Sequence, residues 1–178
     1  MICMPPQTTI IGKFKNNSGK MILTDPCNNY SISSSLHNVP VLKGVWEGRI
    51  ITQDYKMWGN RVKDLIVCHE SAITSGKCAE LTLKLSNPLW KELPGAVGVD
   101  SGQAGIFDTQ KYPKDFECDC DDEKSFYGKA CNITMNKDAG IIDTKGIVSS
   151  SGYGDGCYSV FASYNDKKKI DMLRISFI

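Results

Sequence analysis

Apolar and polar residues alternate with a period of two along several stretches of the chain, which is the pattern of a half-buried β-strand. The clearest case is the stretch KIDMLRISFI, in which Leu173, Ile175 and Phe177 fall on one face. The stretch CYSVFASY before it alternates in the same way, and the charged segment NDKKK joins the two. The pattern predicts a β-hairpin whose charged tip, including Lys167, Lys168 and Lys169, is solvated.

Further strands are predicted upstream. In AELTLKLS, residues 79–86, the leucines recur at every second position and predict a strand. The stretches TTIIGKF and KMILTD flank NNSG, whose residues favour turns, so a second hairpin is predicted there. The stretch VLKGVWEGRIIT supplies one or two more strands, and IIDTKGIVSS a short hairpin. In RVKDLIVCHE, the continuous apolar run Leu65–Cys68 predicts a strand that is buried on both faces.

Signals for helices are few. The stretch DDEKSFYGKACNIT places Phe126, Ala130 and Ile133 at helical spacing after acidic residues, and it predicts a short helix. The stretch SSSLHN could form one further helical turn. We therefore expect residues 1–178 to form a single mainly β domain, an antiparallel β-sandwich or strongly bent sheet with one or two short helices.

Charge and composition narrow the classes of partner. The chain has 178 residues, with 21 Lys and Arg against 20 Asp and Glu and a net charge of +1. This balance provides no field that would gather nucleic acid or an anionic membrane, so neither is an expected partner. The sequence also has no apolar stretch of transmembrane length and no signal-peptide pattern. The expected location is the cytoplasm, or the host cytoplasm or virion if the protein is viral.

The cysteines are expected to be reduced. There are eight of them, and without a signal peptide we interpret them as thiols, several of them buried, rather than as a disulfide framework. The segment CDCDDE, residues 118–123, has a composition that suits metal binding. Because a second cysteine pair is missing, a solvated acidic loop is the favoured interpretation.

A cysteine nucleophile is one candidate for catalysis. Cys27 lies in the segment TDPC and Cys157 in GYGDGCY, and either thiolate would need a nearby histidine to lower its pKa. The chain has only His37 and His69, of which His69 follows the buried strand and is the candidate base. No sequence signature pairs these residues, so a turn with a packed thiol is the simpler interpretation of TDPC.

Four acidic residues lie in turns at predicted strand ends: Asp25 in TDPC, Asp100 and Asp108 in GVDSGQAGIFD, and Asp155 in SSSGYGDGCY. Aspartate and glycine are the residues that tight turns require, so each segment is explained by turn formation alone. Asp155 stands between two glycines, which leaves its carboxylate unobstructed. A turn closed by its own side chain and a ligand to an ion or substrate both fit this placement.

The segments TDPC, VDSGQAGIFD and GYGDGCY, in this order and followed by LRISFI, resemble an uncharacterised domain-of-unknown-function family of bacteria, phages and large DNA viruses. The resemblance implies a fold but no activity. It also implies that Asp25, Asp100, Asp108 and Asp155 belong to recurring blocks. If those strand ends met at one edge of the sheet, the four carboxylates could bind a divalent cation or support hydrolysis.

Two hypotheses of function follow. The favoured one is a non-enzymatic structural or protein-interaction module, such as a component of a viral or phage assembly, which binds a protein partner or itself rather than a small molecule. The alternative is a metal-dependent or cysteine-dependent hydrolase that uses the acidic turns, with Cys27 or Cys157 as nucleophile and His69 as base. Nothing in the sequence requires a cofactor, although a divalent cation would fit the alternative.

Overall fold

The computed structural model describes residues 5–30, 34–114 and 119–178. These residues form strands β1 (Gln7–Asn16), β2 (Lys20–Thr24), β3 (Leu36–Pro40), β4 (Gly44–Asp54), β5 (Asn60–His69), β6 (Lys91–Val99), β7 (Gln103–Asp108), β8 (Ala139–Ile142), β9 (Gly146–Ser150), β10 (Gly156–Tyr164) and β11 (Ile170–Ser176). They also form helices α1 (Glu70–Thr74), α2 (Lys77–Leu83) and α3 (Phe126–Asn136), and a single 3-10 turn at Lys56–Trp58.

The strands make two antiparallel sheets, as the alternation predicts. One sheet has six strands in the order β1-β4-β5-β11-β10-β6, and the other has five in the order β3-β2-β7-β9-β8. Buried residues from both sheets, among them Trp46, Leu65 and Leu173 from the first and Met21 and Ile106 from the second, form one hydrophobic core between them. The mainly β antiparallel sandwich is therefore confirmed, and the described residues contain three short α-helices where one or two were expected.

The helices cover the outer faces of the sheets. Helix α3 packs on the five-stranded sheet, where Phe126 and Ala130 contact a cluster that includes Phe107. Its prediction is confirmed, with Ser125 as the N-cap whose side chain accepts a hydrogen bond from the Gly128 N–H. Helices α1 and α2 cover the outer face of the six-stranded sheet. None of the helices in the described part of the chain is long and apolar enough to span a membrane.

The prediction of a strand over residues 79–86 is wrong, because residues 77–83 form α2. The buried residues of this helix, Cys78, Leu81 and Thr82, follow helical spacing, while Leu83 is 82% exposed. The alternate leucines resemble the buried face of a strand, but of the two leucines within α2 only Leu81 is buried. Cys78 forms a disulfide with Cys68 at the end of β5, which corrects the expectation of reduced thiols for these two residues.

The segment NNSG does not close a hairpin, which corrects the second prediction. Strand β1 pairs with β4 in one sheet, whereas β2 pairs with β3 and β7 in the other. The Asn16 side chain makes the local bonds of this turn, donating to the Lys20 carbonyl oxygen and accepting from the Gly19 N–H, both at 2.8 Å. The Asn16 side chain thus makes local hydrogen bonds in place of those between the two strands of a hairpin. Strand β2 can therefore join the other sheet.

Of the other local predictions, two hairpins and one buried strand are confirmed, and one helical turn is wrong. The hairpins β8 to β9 and β10 to β11 are confirmed, and residues 166–169 at the tip of the latter are exposed. The run Leu65–Cys68 in β5 is fully buried, as predicted. The segment SSSLHN does not supply a helical turn, since Leu36 begins β3, which pairs with β2. Ser33 in that segment lies outside the described residues.

Candidate functional site

The Asp25 side chain holds the turn between β6 and β7. It is fully buried, and one of its oxygens accepts hydrogen bonds from the backbone N–H groups of Asp100 and Ser101, each at 2.8 Å. The other oxygen accepts from the Cys27 N–H at 2.8 Å and from the Ser101 hydroxyl at 2.6 Å. Four donors therefore surround this carboxylate and compensate the cost of burying its charge.

Asp108 holds the turn between β1 and β2 in the same way, by accepting backbone hydrogen bonds. It is fully buried at the end of β7, where it accepts hydrogen bonds from the Asn17 N–H at 2.7 Å and the Gln110 N–H at 2.9 Å. The β1 to β2 and β6 to β7 turns, two of the connections at which the chain changes sheet, are thus each held by a buried aspartate at the end of another strand. Backbone N–H donors stabilise a carboxylate anion, whereas their positive ends repel a metal cation.

Asp155, in the loop between β9 and β10, is exposed and also contacts the β6 to β7 turn. It accepts a hydrogen bond from the Gly102 N–H at 3.1 Å. Asp100 is in the turn itself, with an exposed side chain. Asp25, Asp100 and Asp155 therefore gather at one turn. Asp108 lies at the other end of β7, about 16 Å away along the strand.

The four carboxylates consequently do not meet at one place. Within residues 5–30, 34–114 and 119–178, no group of three or more His, Cys, Asp and Glu side chains is arranged to hold a metal ion. Of the segment CDCDDE, Cys118 lies outside the described residues, while Cys120 is exposed in the loop that precedes α3.

His69 is placed as a helix cap. It is the N-cap residue of α1, and its Nδ1 accepts a hydrogen bond from the Ser71 N–H at 3.2 Å. With Nδ1 as an acceptor, Nε2 carries the proton and donates to the Lys43 carbonyl oxygen at 3.1 Å. The ring also makes an edge contact with Trp46. Both ring nitrogens are therefore engaged in local structure.

Neither candidate nucleophile lies beside His69. Cys27 follows the Thr24 end of β2, whereas His69 contacts Lys43, which lies against Gly19 at the opposite end. Cys157 is exposed at the start of β10, about 23 Å along that strand from Tyr164, which lies near the His69 end of the sheet. The Cys27 thiol instead donates to the Asn28 side-chain oxygen. Cys27 and Cys157 are thus both placed away from His69, the base that the hydrolase hypothesis names.

The surface that stands out is one that the sequence analysis did not identify. Met57 and Trp58, in the loop between β4 and β5, are 94% and 65% exposed, and Tyr153 beside them is 54% exposed. The Tyr153 ring makes edge contacts with both Tyr55 and Trp58, at centroid distances of 5.6 and 6.3 Å. Arg61 borders this group and donates to the Trp58 carbonyl oxygen at 2.8 Å. We call Tyr55, Met57, Trp58, Arg61 and Tyr153 the aromatic patch.

Hydrogen bonds fix both loops that carry the aromatic patch. In the first, the Tyr55 N–H donates to the Gly59 carbonyl oxygen and the Lys56 N–H to the Asp54 side chain. In the second, SSSGYGDG, the Gly154 N–H donates to the Ser151 carbonyl oxygen at 2.9 Å, and Gly152 and Gly154 adopt positive φ angles that glycine tolerates.

Tyr158 stabilises the second loop by a hydrogen bond. Its hydroxyl donates to the Gly154 carbonyl oxygen at 2.6 Å. Burial, together with the neighbouring carboxylate of Asp155, raises the pKa of Tyr158, so the hydroxyl keeps the proton that this bond requires. The glycines, Asp155 and Tyr158 thus work together to present the Tyr153 ring at a defined position. The adjacent Met57 and Trp58, in a loop between two strands, were the available signal in the sequence.

Comparison with known proteins gives a family and no activity. A family model described as "Protein of unknown function (DUF4241)" matches residues 14–175. No curated protein and no solved structure matches the chain.

Proposed function

The chain belongs to the DUF4241 family, and we propose that it is a protein-interaction module whose contact surface is the aromatic patch. The observation that carries this proposal is the exposure of Met57, Trp58 and Tyr153 side by side on fixed loops. Tryptophan, tyrosine, methionine and arginine are the residues that protein interfaces favour, and tryptophan, tyrosine and arginine supply most of the residues that dominate binding energy.

The rigidity of the patch supports the same conclusion. Binding costs free energy whenever flexible side chains must be ordered, and here the Tyr153 ring already lies between those of Tyr55 and Trp58. Large apolar side chains grouped on the surface cost solubility, so a monomer without a partner gains nothing from them. A partner that covers Met57 and Trp58 would bury much of their area.

The contacts of the residues proposed for catalysis favour a structural role for these residues. Asp25 and Asp108 have backbone donors around their oxygens, and both nitrogens of His69 are engaged at the start of α1. These contacts account for the acidic turns without a substrate. The interaction hypothesis therefore rests on the exposed side chains of Met57, Trp58 and Tyr153, and the hydrolase hypothesis on residues whose contacts within the fold account for them.

The test is site-specific photo-crosslinking. A photo-crosslinking amino acid is placed at Met57 and, in a matched control, at Met135, which is 84% exposed on α3. We expect a defined adduct from position 57 and none from position 135. In the purified complex, Trp58→Ala and Tyr153→Ala should each weaken binding about 30-fold or more, the loss typical of a dominant interface residue.

The partner can be another protein or a second copy of the chain, and self-association is the form implied by a viral or phage assembly. Light scattering over a range of concentrations distinguishes them, because only a self-associating chain changes its mass. Equal adducts from positions 57 and 135, or a complex that survives both alanine substitutions unchanged, would overturn the proposal.

A further inference from the structure

A second surface feature lies at the opposite end of the six-stranded sheet. A groove of about 590 Å³ runs between β3 and β6, each an edge strand of its sheet, and reaches the tip of the β10 to β11 hairpin. The volume is within the range of small-molecule sites, about 300–1,000 Å³. The aromatic patch is at the other end of this sheet, beside the loop between β4 and β5.

Contacts between the two sheets close both ends of the groove. At one end the Gly98 N–H of β6 donates to the Ser34 carbonyl oxygen at 2.8 Å. At the other end Val41 forms a bridge with Ile170, and the Leu42 N–H donates to the Ile170 carbonyl oxygen at 3.1 Å. These points, Ser34 and Val41, are about 23 Å apart along the chain, the rise of seven extended residues. The groove is therefore framed by the fold.

Both edge strands are irregular where they face the groove. The pairing of β6 with β10 shifts register opposite Leu93–Gly95, and the pairing of β3 with β2 shifts beside Asn38, which has a positive φ of 52°. Pro94 and Pro40 line the groove and have no N–H to donate. Bulges and prolines of this kind prevent a further strand from pairing with an edge. A peptide backbone would therefore leave its own polar groups unpaired here.

The chemistry of the lining is apolar with a cationic end. Leu36, Val39, Leu93, Ala96 and Ile170 supply apolar surface. Lys168 and Lys169 stand at the hairpin tip, and Asn165 fixes their backbone by accepting from the Lys169 N–H at 2.9 Å. The described residues that line the groove include no carboxylate.

We propose that this groove binds a small amphipathic anion, an apolar chain with one carboxylate, with the chain against Leu36 and Leu93 and the carboxylate at Lys168 and Lys169. Charge complementarity selects an anionic head, the apolar walls select the chain, and the irregular edges exclude a peptide strand. This site is additional to the proposed interaction function, from which it is separated by the length of the sheet.

Isothermal titration of the full chain with dodecanoate tests the proposal. We expect dodecanoate to bind at concentrations below micelle formation, and acetate and dodecyltrimethylammonium to bind at least about tenfold more weakly, because one lacks the chain and the other has the wrong charge. Nuclear magnetic resonance shifts should be confined to residues of β3, β6 and the hairpin tip. Equal binding of the cationic and anionic amphiphiles would overturn the proposal.

Variants locate the site. The double change Lys168→Glu and Lys169→Glu should weaken dodecanoate binding about tenfold, whereas Lys167→Glu, in the same exposed tip but outside the groove lining, should leave it unchanged. Ala96→Phe should block the groove, and a circular dichroism spectrum equal to that of the parent shows that it folds. Binding that survives Ala96→Phe, or an acidic peptide that binds where dodecanoate does not, contradicts the assignment.

Discussion

The Asp25 carboxylate receives two hydrogen bonds from Ser101, one from the backbone N–H at 2.8 Å and one from the hydroxyl at 2.6 Å. The two residues are 76 positions apart in the sequence. Asp25 follows a strand of the five-stranded sheet, and Ser101 lies in the turn that leaves the six-stranded one. A single buried side chain therefore joins the two sheets at one end of the sandwich.

Replacing Asp25 should destabilise the fold. Asp25→Ala leaves the N–H groups of Cys27, Asp100 and Ser101 without their acceptor, and we expect a loss of about 3 kcal/mol or more in the free energy of unfolding. Asp100→Ala, which changes an exposed side chain in the same turn, should cost less than about 0.5 kcal/mol. Urea denaturation of the three proteins measures the difference, and equal losses would show that Asp25 is not the residue that holds the turn.

Divalent cations should have no effect on stability. The oxygens of Asp25 and Asp108 face N–H donors, whose positive ends repel a cation. A melting temperature within about 1 °C of the parent value is expected after addition of millimolar Ca²⁺, Mg²⁺ or Mn²⁺, since a ligand stabilises only the state that it binds. A larger rise that Asp155→Asn abolishes would instead place a cation at the turn between β6 and β7.

The reactivity of the thiols should not depend on His69. Cys157 is exposed and Cys27 is half-buried, so iodoacetamide should label Cys157 faster. His69 lies at the opposite end of the sandwich from both, and His69→Ala should leave the two labelling rates unchanged in the folded protein. Peptide mass spectrometry over time gives the rates. A slower rate at either cysteine in this variant would indicate the catalytic pair that the structure separates.

The disulfide between Cys68 and Cys78 should contribute to stability. It closes a loop of 10 residues between β5 and α2, for which restriction of the unfolded chain predicts about 2–3 kcal/mol. The double change Cys68→Ala and Cys78→Ala should lower the free energy of unfolding by about that amount, whereas Cys157→Ala should change it little. If a reducing agent left the parent protein as stable as before, the bond would contribute nothing under those conditions.

Asp64 should make the free energy of unfolding depend on pH. Burial raises the pKa of this carboxyl, although Arg174 donates to it at 2.7 Å and offsets part of the effect. The native state then holds the proton to a higher pH than the unfolded chain, whose carboxyl titrates near pH 3.9. The contribution of Asp64 to stability is therefore greatest below that pH and is lost as pH rises through the raised pKa.

Asp64→Asn removes this titration. The difference in unfolding free energy between the parent and Asp64→Asn should fall as pH rises from about 4, by at most about 1.4 kcal/mol per pH unit, and then become constant. Denaturant unfolding at a series of pH values measures it. A difference that grows with pH would mean that the Arg174 guanidinium lowers the pKa more than burial raises it.

Local patterns predicted the strands better than they predicted the connections. The alternation around Leu173 and the buried run Leu65–Cys68 correctly predict β11 and β5. Strand β11 is, however, buried on both faces rather than half-buried, because Met172 on its outer face packs in the cluster that α1 and α2 cover. Whether two successive strands pair or change sheet depends on contacts with distant residues, such as those of Asp108 with the turn at Asn17. Nothing in the segment NNSG itself records those contacts.

The candidate site shows the same limit. The sequence identified the turns that contain Asp25, Asp100 and Asp155, and these turns do lie together, but it could not show that backbone N–H groups fill the space around Asp25. In the sequence, Tyr153 is one residue of a glycine-rich turn. Its ring contacts Tyr55 and Trp58, about a hundred positions earlier, and only the fold brings them beside it.

The position of β11 has a consequence for synthesis. Although it is the last of the described strands in chain order, it occupies an interior place in its sheet, between β5 and β10. Strand β5 therefore emerges from the ribosome more than a hundred residues before the neighbour that covers its second edge. Until residues 170–176 are made, that edge stays open to other chains, so the nascent protein is most exposed to aggregation and to chaperones late in translation.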